Sequence, residues 1–176
     1  MILAVVAIVV AAAVVAKLMR SLRGPRPDAR RSTVVKLASR PTRPVARYRY
    51  QAGQVWTYRN RPGEKASRLT ILKVDPSGNG NIVHVHVSRV VIENSAAPHG
   101  KSTFITHMPF TEEAIDQSVL QLVDQTEHLP PYEEGYATWK EQADKNNAGV
   151  FAIGVAKAID GIATAFKGNR RAAERL

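Results

Sequence analysis

No cysteine occurs anywhere in the 176 residues, which excludes disulfides, thiolate metal sites and a lipoprotein-type anchor, and leaves the redox compartment open. No charged or polar side chain occurs from Met1 to Ala16, and no lysine or arginine from Ser102 to Trp139. Recognised catalytic patterns are missing too. Ser102, Thr111 and Ser118 sit in no Gly-x-Ser-x-Gly elbow and beside no evident base. Gly78-Asn79-Gly80 leads into a strand pattern, where a phosphate cradle needs a helix N-terminus.

The uncharged start contains nine branched aliphatics spaced by alanines, and the apolar run continues past Lys17 to Met19. As a helix it would rise roughly 28 Å, close to the ~30 Å hydrocarbon core. Residues 1–20 are therefore expected to be a single transmembrane anchor. A cleavable signal peptide is the rival, but no basic residue precedes the apolar stretch.

From Lys17 to Arg49 eleven basic residues stand against the single acid Asp28, so this stretch carries the whole net charge of +10. Lys17, Arg20, Arg23, Arg26, Arg30 and Arg31 would lie at or near the membrane surface and meet anionic headgroups. Their position predicts a bacterial inner-membrane protein with its N-terminus outside and its domain cytoplasmic. A periplasmic domain is the alternative. The interleaving at Arg47-Tyr48-Arg49-Tyr50 also invites a nucleic-acid reading, which the juxtamembrane position makes the weaker one. Pro25, Pro27, Pro41 and Pro44 mark 21–49 as a linker without a core of its own.

Residues 50–167 have the length of one domain. Val55, Thr57 and Arg59 alternate with Trp56 and Tyr58, predicting a strand over 53–59. In Arg61-Pro62-Gly63-Glu64 the proline presets φ and the glycine supplies the positive φ of a type II turn. A second strand is expected over 68–74, a tight reversal at Asn79-Gly80, and a third strand over 82–92. In that third strand Val83, Val85, Val87 and Val91 should face one way and His84, His86 and Ser88 the other. A short fourth strand is expected over 103–106.

Thr111 reads as an N-cap with Phe110 and Ile115 as a hydrophobic staple, opening a helix that buries Ile115, Val119, Leu122 and Val123 and ends before Pro130. A second helix over about 132–145 carries Tyr132, Tyr136 and Trp139 as one aromatic stripe. Val150 to Ile153 suits a strand or a helix start. A last helix presents Val155, Ile159, Ile162 and Phe166, and a basic tail, 168–176, is expected to fray. The fold class is α+β: a transmembrane helix, then three or four antiparallel strands packed with about three helices.

The motifs Gly53-Gln54-Val55-Trp56-Thr57-Tyr58, Arg61-Pro62-Gly63-Glu64, His107-Met108-Pro109-Phe110 and Glu133-Glu134-Gly135-Tyr136 through Trp139-Lys140 together resemble a family of small bacterial proteins of unknown function. The resemblance runs from Tyr50 to about Ile162 and implies no transferable chemistry. Gly154 stands where the family pattern leads one to expect proline, which leaves the start of the last helix open.

His84 and His86 could project two imidazoles from one strand face with His107 as a third zinc ligand, the basis of a small metal-dependent or hydrolase-like enzyme. Two alternating histidines on a polar strand face are more simply surface or helix-packed residues, and neither a metal nor another cofactor is expected. Adjacent Glu133 and Glu134 point in different helical directions and do not make an acid–base pair. The seven acids from Glu112 to Glu134 form a one-sign run suited to steering a basic partner. Glu112, Glu113, Glu133 and Glu134, with Tyr132, Tyr136 and Trp139 as anchors, are the candidate protein-binding residues. The function expected is a membrane-anchored, non-enzymatic binding or accessory domain.

Overall fold

The computed structural model describes residues 49–173 apart from 79 and 96. The expected anchor and every linker residue before Arg49 lie outside them. Among the described residues no helix is long and apolar enough to cross a membrane.

The elements run β1 (Gln54–Tyr58), β2 (Arg68–Ser77), β3 (Gly80–Glu93), a 3₁₀ turn at Pro98–Gly100, β4 (Lys101–Thr111), α1 (Glu112–Ser118), β5 (Val119–Gln125), α2 (Glu133–Asp144) and α3 (Val155–Ala173). The α+β class holds, with five strands rather than three or four. They form one antiparallel sheet in the order β4-β3-β2-β1-β5.

Alternation along the strands sorts the sheet into two faces. Tyr58, Leu69, Ile71, Val83, Val85, Val87, Met108 and Phe110 point inward and join Ala114 and Ile115 of α1 and Val155, Ala158, Ile159 and Ile162 of α3 in one buried core. Complete burial of each large side chain stabilises by roughly 1.5–3 kcal/mol before entropy is counted. The opposite face carries His84 and His107, and α2 covers it there through Tyr136 and Trp139.

The type II turn forms as expected, with Gly63 at φ 84° and the Glu64 N–H bonded to the Arg61 carbonyl at 3.1 Å. The hairpin reversal between β2 and β3 lies between the paired Ser77 and Gly80, one residue earlier than the Asn79-Gly80 reading. β4 is far longer than expected, because Met108 to Thr111 continue its ladder with β3 beyond a register shift.

Val91 does not share the face of Val83, Val85 and Val87. Arg89 adopts φ 55° and the β3–β4 register shifts between Ser88 and Ile92, so Val90 and Ile92 turn inward while Val91 is 54% exposed. This is the action of a β-bulge, which re-aims every side chain beyond it. Side chains replace some of the backbone partners here. The Val91 N–H donates to Glu64 Oε1 at 2.8 Å, and Arg61 Nη2 donates to the Val91 carbonyl at 3.0 Å.

The largest correction concerns residues 119–125. Thr111 caps α1, its hydroxyl accepting from the Ala114 N–H, and Phe110 and Ile115 are both buried. The helix nevertheless stops at Ser118, and Val119, Leu122 and Val123 belong to a strand beside β1. To continue, α1 would need the carbonyls of Gln117 and Ser118 for its own next turn. Arg59 takes both, with its Nε to Gln117 at 3.2 Å and its backbone N–H to Ser118 at 2.9 Å. Ser118 also donates to the Ala114 carbonyl and accepts the Val155 N–H at 3.0 Å, pinning the start of α3. Leu122 and Val123 are left 44% and 45% exposed rather than buried.

Residues 150–153 contribute a single parallel bridge, Phe151 to Phe110. Gly154 does not displace the last helix: its carbonyl accepts the Ala158 N–H at 3.0 Å and α3 begins at Val155. The helix continues to Ala173, well into the stretch expected to fray.

Candidate functional site

The densest polar constellation gathers under α2. A register shift between Ile71 and Lys73 lets Leu72 bulge and places Lys73 opposite His84. Asp75 follows two residues on, hence on the same face. His107 arrives from β4, and α2 lays Tyr136 and Trp139 across both imidazoles, with ring centroids 4.7–6.3 Å away. Gly135 permits this approach, since a Cβ there would sit 3.0 Å from the Cβ of His107.

His84 Nδ1 lies 2.8 Å from His107 Nε2, and His84 Nε2 lies 3.3 Å from Asp75 Oδ2 without an aligned hydrogen bond. Asp75 also accepts from the Tyr136 hydroxyl at 2.7 Å, and Lys73 Nζ stands 3.0 Å from its other oxygen and 2.5 Å from the Tyr136 oxygen. One imidazole donates to the other across the His84–His107 contact. Which ring donates follows from the tautomer each adopts.

Burial pushes His84 down to about 4, opposed by Asp75 and reinforced by Lys73. Burial, and then His84, push His107 down to about 3. Desolvation would raise the Asp75 carboxyl, but hydrogen bonds from Tyr136 and Lys73 and the nearby His84 outweigh it and hold the group below its usual value. The resting state is thus two neutral imidazoles beside an ionised carboxylate.

These shifts fix a pH dependence. Both folded histidines titrate below their ordinary value of 6.5, so between pH 6.5 and about 4 the unfolded chain holds protons that the folded one does not. Stability is complete above pH 6.5 and falls with acidification, by up to about 1.4 kcal/mol per pH unit for each histidine. Asp75, depressed from 3.8, adds its loss only at lower pH still. Melting temperatures recorded from pH 7 to 4.5 should fall steeply in the native protein and much less in a His84→Gln, His107→Gln double variant. Equal slopes would refute the assignment.

The three-histidine zinc reading does not match this geometry. His84 and His107 are bonded to each other at a separation too short to hold a cation between them. His86, 8% exposed, stacks instead on Phe104 with centroids 5.9 Å apart. Among the described residues no group of three or more potential ligands could hold a metal.

The other candidates are dispersed. Glu112 accepts from Asn81 Nδ2 at 2.7 Å, Glu133 accepts from the Tyr132 N–H at 3.0 Å, and Glu113 and Glu134 are exposed. Tyr136 and Trp139 are half-buried against the histidines, and Trp139 Nε1 donates to the Gly149 carbonyl at 3.1 Å, so their rings are engaged within the domain. Tyr132 packs edge-on to Tyr136. Lys17, Arg20, Arg23, Arg26, Arg30 and Arg31 fall outside the described residues.

Sequence reasoning missed Lys73 and Asp75, whose i, i+2 spacing on β2 was the available signal. It also missed the surface that β5 creates. β5 is an end strand with no further described strand on its outer side, and Leu120, Leu122 and Val123 are 58%, 44% and 45% exposed along it. Chemically, the two imidazoles share one hydrogen bond beside a carboxylate, and His84 is fully enclosed. A cavity of about 140 Å³ lined by Glu93, Asn94, Ser95, Gly100, Phe166 and Lys167 includes none of these residues. Comparisons with protein families, with curated proteins and with solved structures found no match to the chain.

Proposed function

We propose that this protein is a non-enzymatic accessory domain, tethered to a bacterial inner membrane by residues 1–20 with the domain on the cytoplasmic side, that binds a protein partner along the open edge of β5. One observation carries the reading: an edge strand with three apolar side chains exposed. Edge strands offer unpaired backbone groups, and soluble domains ordinarily blunt them with charge, proline or a covering element. β5 has only Asp124 as a charge and no proline, and its protection is limited to two register shifts in its pairing with β1. Such an edge suits addition of a partner strand, with backbone bonds giving affinity and alternate side chains giving selectivity. The enclosed histidine cluster supports the non-enzymatic side of the reading, because a substrate would first have to displace α2.

Extraction of the full-length protein in mild detergent should recover a stable complex. Leu120→Lys with Val123→Lys should weaken capture at least tenfold while leaving the circular dichroism and melting temperature near native. Recovery of the protein alone, or undiminished capture by the variant, would sink the proposal.

A second reading draws on the close grouping of Asp75, His84 and His107, in which the two imidazoles are hydrogen-bonded and the carboxylate stands 3.3 Å from His84 Nε2. A small enzyme of this kind would need α2 to lift, and its activity would disappear in His84→Gln.

A further inference from the structure

We infer that the outer edge of β5 is occupied in cis by the chain's own linker, residues 32–37, as a sixth strand. The inference rests on β5 being the binding edge and names what covers that edge when no partner does.

Three observations converge. Ser32-Thr33-Val34-Val35-Lys36-Leu37 lies within the proline-free stretch between Pro27 and Pro41, and it contains the linker's one cluster of β-favouring residues. As a strand it would direct Thr33, Val35 and Leu37 to one side, and the edge it meets exposes Leu120, Leu122 and Val123 among Gln121, Asp124 and Gln125.

Charge is complementary as well. Arg30, Arg31, Lys36 and Arg40 flank or interrupt the segment, while Asp116, Asp124 and Glu127 lie before, within and after β5. A second copy of the chain in the same place would set Asp124 and Glu127 of each molecule along one shared edge, a like-charge arrangement that disfavours that occupant.

Length and delivery point fit too. Arg49 forms an ion pair with Asp116 at 2.8 Å, three residues before β5 begins, and Tyr50 is buried with its hydroxyl 2.5 Å from the same carboxylate. The chain is therefore anchored at the head of β5. Eleven residues separate Leu37 from Arg49. A coil of that length reaches roughly 17–21 Å, against about 23 Å for a seven-residue strand. A tether whose reach matches the span gives effective concentrations in the millimolar range, so a segment too weak to bind in trans is held in place.

The absence of cysteine allows a clean test in the full-length protein in detergent micelles. A disulfide between Val35→Cys and Val123→Cys should form within one chain at least tenfold faster than one between Val35→Cys and Lys157→Cys, an exposed position on α3. Adding Val34→Pro, which removes a strand N–H, should abolish the difference. Equal rates for the two pairs, or a Val123 product that is mainly a covalent dimer, would overturn the inference. If the pairing fails while Leu120→Lys with Val123→Lys still weakens partner capture, the occupant named here is wrong and the binding edge stands; if capture is also unaffected, both fall.

Discussion

Glu64→Ala is expected to cost about 2–3 kcal/mol, short of the roughly 3–5 kcal/mol for a fully buried ion pair because both partners are partly reached by solvent. Glu64 and Arg61 are 10% and 13% exposed and meet through two contacts, at 2.8 and 2.5 Å. Burial would raise the Glu64 carboxyl, but Arg61 and the Val91 N–H together hold it below its usual value. Without that carboxylate the guanidinium keeps only Asp160 at 3.3 Å and the Val91 carbonyl, and the Val91 N–H loses its acceptor. The type II turn, the bulge at Arg89 and the face of α3 are joined at this one pair. Urea denaturation of the variant should show the loss, while Glu64→Gln, which keeps an acceptor for Val91, should lose less. A change under 1 kcal/mol for Glu64→Ala would mean the pair is screened by water.

Gly53→Ala should cost about 2–4 kcal/mol, in the upper tail for point substitutions. Gly53 has φ 89°, which an alanine adopts only with strain, and an added Cβ would sit 2.1 Å from the backbone oxygen of Thr126. The Gly53 carbonyl accepts the Thr126 N–H and its own N–H donates to Ile71, so the backbone cannot step aside without breaking ladder contacts on both sides. Because the clash falls at the far end of β5, exchange of the amides of residues 119–126 should accelerate before that of β2 and β3. Uniform acceleration, or none, would contradict this account.

The first three strands were legible because alternating valines and aromatics, broken by Pro62-Gly63 and the glycines around 79, determine period and reversal locally. The apolar face of the last helix from Val155 to Phe166 and the Thr111 cap were legible for the same local reason, whereas the continuation of that helix to Ala173 was not. Residues 119–125 were not. Their apolar spacing satisfies a helix, and what decides against one is Arg59, sixty positions away, taking the carbonyls of Gln117 and Ser118. Bulges hid two further features. Alternation read through Arg89 misplaced Val91, and the extra residue Leu72 obscured that Lys73 and Asp75 face His84. Arg61 and Glu64 were recognised as turn residues, but their pairing and its use at Val91 lie in tertiary structure. Proximity of His107 to His84 was foreseeable as a possibility; their direct hydrogen bond was not.

The helix lying over the two imidazoles differs from its companions in kind. No side chain of α2 is fully buried, and Tyr136 and Trp139 set it on imidazole rings, with Lys73 and Asp75 meeting Tyr136. The molecule is accordingly bonded unequally across its two sides: one is welded by oil, the other fastened by groups that hold only while the histidines beneath stay neutral. Acidification toward pH 4, where His84 begins to take a proton in the folded protein, should loosen that second layer before the five-stranded body.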